Sequence, residues 1–259
     1  HPKFYIPNGD VVLAAKFASE TNGGPPRYQL FRVHKFLLGF RSQVFANLFT
    51  DADADASNEP SYDGLPLVEL QGDNADDFAL LLNYLYGPET SLPFRHHDPN
   101  TPIAVSGVVR LADKYLLEPL HKRLVAQVVE DWPTTLRGWD VQQAEIQAIK
   151  DAIFTMGDDP VDRGPPLSDV IPEPVSAIVF AQEFGCPEIL PSAFYRLLQM
   201  NFNHDWSLRV PELGPHPHPS SCSPLALARW NLLDRDNLGR YIHGLQAAEE
   251  YVPDARMFL

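Results

Sequence analysis

Residues 31–49 read FRVHKFLLGFRSQVFANLF, and the reading of this stretch decides the fold. Phe31 and Val33 alternate as the end of a strand, after which the period changes. Leu37, Leu38, Phe40, Val44, Phe45, Leu48 and Phe49 recur at the three- and four-residue spacings that set apolar side chains on one helical face. Gly39 interrupts the pattern, and Ser42 is placed to cap a second helix that begins near Gln43. Two short helices docked on a hairpin are expected. The stretch suits an interaction module better than a catalyst.

Working outward, Pro7-Asn8-Gly9-Asp10 is turn chemistry, and Val11, Val12 and Leu13 read as a strand. Residues 21–26 (TNGGPP) are a hairpin-like connection into a second strand from Tyr28 to Val33. Asn22-Gly23-Gly24 lacks the glycine spacing and following helix of a phosphate-binding loop. Residues 50–64 (TDADADASNEPSYDG) read as a solvated, turn-rich loop. Asp51, Asp53 and Asp55 have the first spacings of a calcium loop, but Ala56 stands where glycine is needed and Tyr62 where glutamate is needed. Val68, Glu69 and Leu70 continue as a strand. Asp73 or Asn74 then caps a helix whose apolar face is Phe78, Leu81, Leu82 and Leu85. Tyr84 and Tyr86 are core edges or partner contacts.

Residues 89–102 form a long loop containing His96, His97 and Asp98; no third ligand follows at a recognisable spacing, so no metal is assigned there. A helix from about Val105 leads through Tyr115, Leu116 and Leu117 to another, with Pro119 in its first turn. His121, Lys122 and Arg123 make a small basic cluster on that helix, read as a solvated face or as an attraction for an acidic partner.

Four pieces of this chain, in order, resemble the BTB/POZ family. They are NGDVVLAA from Asn8, HKFLLGFRSQVFANLF from His34, LPLVELQGDNADDFALLLNYLYGP from Leu65, and AVSGVVRLADKYLLEPLHKRLVAQVVE from Ala104, with A-D-K-Y at Ala112 to Tyr115. The resemblance spans residues 6–131. It implies an α/β (α+β) class fold, a small mixed sheet flanked by helix pairs, followed here by an all-helical extension. Residues 132–174 are read as a helix, Val141 to Phe154, and a Pro/Gly-rich linker. Residues 175–259 are read as a helical C-terminal extension that resembles a BACK domain and the region after the BTB domain in fungal BTB proteins.

Within that extension Val175 to Phe184 reads as a helix closed by Gly185 as C-cap. Another is expected from Glu188 to Met200, with Leu190, Phe194, Leu197 and Leu198 inward. Ser223-Pro224 is expected to start a helix containing Leu225, Leu227, Ala228 and Trp230, with Leu232 to Glu250 continuing it or following a brief break. His204, His216, His218 and Cys222 form the strongest zinc candidate, yet match no standard zinc pattern, and no metal or cofactor is expected.

The formal charge of −14 over 259 residues argues against binding to a nucleic-acid backbone or an anionic membrane, since either needs concentrated Lys and Arg. No apolar run approaches the roughly 18 residues of a membrane span. Two cysteines, Cys186 and Cys222, make no disulfide framework and read as one buried thiol and one loop thiol, consistent with a cytoplasmic or nuclear protein. The chain begins with His1 and so reads as a trimmed or processed chain.

No nucleophile and base are set side by side. There is no G-x-S-x-G, and no histidine can be named as a base for Cys186. Asp10 and Asp113 read as helix caps or turn residues, and His34 as a partly buried structural histidine bonded through its ring. The chain is therefore read as non-catalytic, an enzyme of unrecognised type being a minor alternative. The resemblance implies an adaptor or scaffold whose partner is a cullin in a ubiquitin ligase or a second copy of itself, or an oligomerising transcription-associated or assembly scaffold unrelated to ubiquitin. The chain begins close to the first strand, so the N-terminal helix that many dimerising members exchange is not in view, which leaves a monomer, a weaker dimer and a dimer all open. Arg41, Gln43 and Asn47 are the expected exposed contact positions, joined by Tyr84 and by His121, Lys122 and Arg123.

Overall fold

The structure is a computed structural model that describes residues 1–18, 25–54, 60–87, 95–155, 167–208 and 226–251. The chain divides into two compact units, residues 1–93 with 105–124, and residues 94–104 with 125–259.

The first unit is built on a four-stranded mixed sheet in the order β2-β1-β4-β3. Strand β1 (Val11–Lys16) pairs antiparallel with β2 (Tyr28–Val33), Val11 facing Val33 and Lys16 facing Tyr28. On its other edge β1 runs parallel to β4 (Leu65–Asn74), with Val12 opposite Leu67 and a register shift between Ala14 and Lys16. Val11 to Ala15 are all buried, as a central strand covered on both faces requires. Gly9 enters this strand where a Cβ would lie 2.8 Å from the Val33 carbonyl oxygen, so only glycine lets the turn lie so close to β2.

The opening stretch becomes α1 (Lys35–Arg41) and α2 (Gln43–Ala54). Ser42 separates them and serves both: its N–H donates to Leu38 O at 2.9 Å, and its Oγ accepts from Phe45 N at 3.3 Å. The same hydroxyl donates to Tyr115 O at 2.6 Å, which ties the helix junction to the end of a distant helix. Phe45 stacks on Tyr115 with ring centroids 4.1 Å apart and meets Phe78 edge-on. Burying a ring of this size stabilises by about 1.5–3 kcal/mol.

Two local expectations are corrected here. Helix α2 runs on through Ala54, so Asp51 and Asp53 lie on its last turn and not in a loop. The alanines between the aspartates are strong helix formers and prolong a helix already nucleated. Beyond it Ser61 and Tyr62 form β3, paired with Pro66 and Leu65 across a turn in which Asp63 and Gly64 both have positive φ. Asp55 lies outside the described residues.

Helix α3 (Ala75–Tyr86) is capped by Asn74, whose side chain accepts from Asp76 N at 2.8 Å and Asp77 N at 3.2 Å. Asp73, the other cap candidate, is buried instead and binds Lys114 Nζ and the Tyr115 hydroxyl. Helix α4 (Thr101–Lys114) starts four residues before the expected Val105. Leu116, with φ 54°, makes the turn into α5 (Glu118–Glu130).

The second unit is helical. Helix α6 (Leu136–Thr155) contains the expected segment but begins earlier. Ile146 on it packs with Leu167 and Ile171, so the described end of the Pro/Gly-rich stretch is core-forming and not a spacer. Helix α7 (Pro174–Phe184) ends at Gly185, whose φ of 70° is the left-handed cap expected of it. A 3₁₀ turn at Pro187–Ile189 leads into α8 (Leu190–Leu198), with Leu197 fully buried and Leu190, Phe194 and Leu198 half-buried. Cys186 is buried, and burial pushes its thiol up to about 11.

The helix expected from Ser223 is not formed in its described part. Residues 226–229 lie outside any helix, with Ala228 bridged to Asp205, and a single 3₁₀ turn, Trp230–Leu232, precedes α9 (Arg235–Tyr251). The reason is Arg229, whose N–H and guanidinium both bind Glu173, an arrangement that a helical backbone at 229 would not present. Glu173 also caps α7, accepting from Val175 N at 3.0 Å and Ser176 N at 2.8 Å.

Candidate functional site

Helix α1 is short and rigidly placed, and its outward face is apolar. Asp10 Oδ1 accepts from Lys35 N at 2.8 Å, fixing the helix start, and the His34 N–H donates to the Tyr86 hydroxyl at 2.8 Å. The His34 ring lies 3.1 Å from the same hydroxyl through Nδ1, as expected of a partly buried structural histidine. Burial holds Tyr86 above the usual phenol range.

Leu38 alone of the α1 side chains is fully buried. Phe36 and Phe40 lie two residues to either side of it, about 200° around a helix, and therefore face away. They are 81% and 75% exposed and stack on each other at 6.1 Å. Phe40 was expected on the inward face with Phe45 and Phe49; the break at Ser42 resets the helical phase, so the face of α2 does not extend into α1. The i, i+4 spacing of Phe36 and Phe40 about Leu38 was the signal that could have shown it.

Arg41, Gln43 and Asn47 are exposed, as expected. Gln43 Nε2 donates to Asn47 Oδ1 at 2.9 Å, an i, i+4 bond that keeps both side chains on one strip of α2. Val44 and Leu48 are half-buried, and Phe45 is fully buried.

The other expected contact residues lie elsewhere in the first unit and are engaged locally. Tyr84 is half-buried, with the Arg123 guanidinium 5.7 Å from its ring centroid. Lys122 pairs with Glu118 at 2.6 Å one turn earlier, and His121 Nε2 lies 3.4 Å from Asp113 Oδ1. Each cation thus has an anion or ring within its own neighbourhood, and the cluster presents little net positive charge. The Glu118 carboxyl is held below its ordinary range by the Lys122 hydrogen bond and charge.

The second unit holds one group of potential metal ligands among the described residues: His96, His97 and Asp131, whose ligand atoms all lie within 4.8 Å of one another. His96 Nδ1 is 3.3 Å from Asp131 Oδ1, and the His97 N–H donates to the same oxygen at 3.0 Å. Asp131 is buried, which pushes its carboxyl up to about 6. Burial, and then the neighbouring His96, lower the His97 imidazole. Asp98, the expected companion of the two histidines, instead accepts from Asn100 N at 2.8 Å in a turn. Asp131 lies far along the chain beyond α5, where no spacing rule would join it to the loop. His204 is described, but His216, His218 and Cys222 lie outside the described residues.

Comparison with known families agrees with the sheet and helix pairs of the first unit: the family model described as BTB/POZ domain matches residues 24–131. The chain carries such a domain, a non-catalytic module that mediates protein–protein contacts. No curated protein matches the chain. No helix among the described residues is long and apolar enough to cross a membrane.

Proposed function

From a chain whose residues 24–131 form a BTB/POZ domain, we propose that this protein is a non-catalytic adaptor or scaffold that engages another protein through the outward face of α1. The observation that carries this reading is the exposed, stacked pair Phe36 and Phe40, on a helix pair that also exposes Arg41, Gln43 and Asn47. Two neighbouring large rings left in water on an ordered helix are a cost that a partner removes. Aromatic side chains anchor interfaces because they supply large rigid area with few torsions to freeze. The partner is a second copy of the chain or a cullin-type scaffold of a ubiquitin ligase. An assembly role unrelated to ubiquitin uses the same face in the same manner.

Covering each ring contributes about 1.5–3 kcal/mol, so losing both weakens association by about 100-fold or more. The test is light scattering behind size-exclusion chromatography over a range of concentrations, with titration of purified cullin scaffold into the same protein. Self-association or cullin binding that disappears in Phe36→Ser/Phe40→Ser, with unchanged circular dichroism, supports the reading. A wild-type protein that stays monomeric and binds no cullin, or a variant that associates as well as wild type, overturns it.

A further inference from the structure

The geometry points to a divalent transition-metal site in the second unit, a zinc site by the chemistry of its donors, formed by His96, His97 and Asp131 with Glu145 at its edge. Zinc takes imidazole nitrogen and carboxylate oxygen at about 2.0–2.2 Å in a tetrahedron, which sets its ligand atoms about 3.4 Å apart. The His96 Nδ1 to Asp131 Oδ1 distance is already 3.3 Å. His97 Nε2 is 4.0 Å from Glu145 Oε2, and Glu145 is the fourth donor if its exposed side chain turns inward; otherwise water completes the shell.

The backbone explains how two adjacent histidines come to share one site. Consecutive side chains in extended chain point to opposite sides. His97 has φ 63°, the left-handed region that few non-glycine residues adopt. This turn brings the two rings to a centroid separation of 3.9 Å at 77°, presenting both to one side.

The surroundings supply charge and support. Asp131 is buried with Glu130 and Asp98 as acidic neighbours, and Glu145 lies against His97. The opposing charge is Arg196, whose guanidinium is occupied by Gln142 at 3.0 Å and Gln143 at 3.3 Å and stacks on Trp139. Gln142 also donates to the Asp131 carbonyl at 2.6 Å, fixing the backbone of the anionic ligand. Two nitrogens with one or two carboxylates are a donor set suited to zinc and other first-row divalent ions rather than to calcium or magnesium. A bound ion would clamp residues 95–100 to Asp131 and to α6. This site is independent of the α1 face, and its test does not depend on any partner.

The experiment uses the full chain, stripped with chelator and dialysed, with zinc chloride titrated calorimetrically and cobalt(II) as the spectroscopic probe. We expect saturable binding, intense visible absorption from tetrahedral cobalt displaced by zinc, and a higher melting temperature with zinc present. His96→Ala/His97→Ala should abolish this binding, whereas His216→Ala/His218→Ala/Cys222→Ser should retain it. Asp131→Asn keeps the side chain's size and its acceptor for the His97 N–H. It should weaken binding by more than about tenfold, while the metal-free melting temperature holds. Absence of zinc binding in wild type overturns the site, and so does binding that survives the paired histidine substitution or is lost only with the residue 216–222 variant.

Discussion

The two units each bury a carboxylate whose side chain is 1% exposed, and they differ in the cation that meets it. In the first unit Asp73 is met by the Tyr115 hydroxyl and by Lys114, whose side chain is 41% exposed and so stays in contact with water. In the second unit Glu173 is met by Arg229, and their side chains are only 1% and 7% exposed. Arg229 also donates to the Pro99 carbonyl at 2.8 Å and to Asn100 Oδ1 at 2.6 Å, and stacks 3.8 Å from the centroid of Trp206. The difference teaches where breakage is most costly. A charge with a route to solvent can be rehydrated when its partner is removed, whereas a fully enclosed one is stranded.

Three substitutions test that contrast. Arg229→Leu leaves Glu173 uncompensated and should destabilise by about 3–5 kcal/mol, with proteolysis of the destabilised protein starting in the second unit. Chemical denaturation with cleavage sites mapped by mass spectrometry checks this. A loss under about 1 kcal/mol would place the pair in effective contact with water and erase the contrast.

Asp73→Ala strands the buried Tyr115 hydroxyl but leaves Lys114 able to turn outward, so the expected cost is smaller, about 1–3 kcal/mol. The burial and the Asp73 hydrogen bond both raise the Tyr115 phenol, so spectrophotometric titration of that tyrosine should begin at lower pH in the variant. If Asp73→Ala costs as much as Arg229→Leu, the exposed lysine is not what relieves the first cluster.

Ser42→Ala sets the scale for a neutral group within the first unit. It removes the cap of α2 and leaves the Tyr115 carbonyl without its 2.6 Å donor, for an expected loss of about 1 kcal/mol. Thermal melts of Ser42→Ala and Ser42→Thr separate the hydroxyl's contribution from that of the space it occupies; restoration by threonine is expected where its methyl fits.

Much of the first unit was legible because its signals are local. Val11 to Leu13, the Ser42 junction and the apolar face Phe78, Leu81, Leu82 and Leu85 follow from periods of two and 3.6 and from capping chemistry, and each is where it was expected. Phe40 faces outward, against expectation, because the break at Ser42 gives the seven-residue α1 a helical phase of its own. The expected helix at residues 223–230 failed in its described part for a different reason: the local propensity of Leu227 and Ala228 yields to the hydrogen bonds of Arg229.

Strands β1 and β2, the middle of β4, the paired helices and the Gly185 and Ser42 caps are legible in the sequence, since these depend on residues within a turn or two of each other. Tertiary structure alone decided which polar groups meet. His97 and Asp131 are separated by 34 residues, Glu173 and Arg229 by 56, and Pro99 and Arg229 by 130. Periodicity assigns a side chain to a face but carries no information about what the closed chain brings opposite it. The meeting of His96, His97 and Asp131 belongs to that second kind of fact.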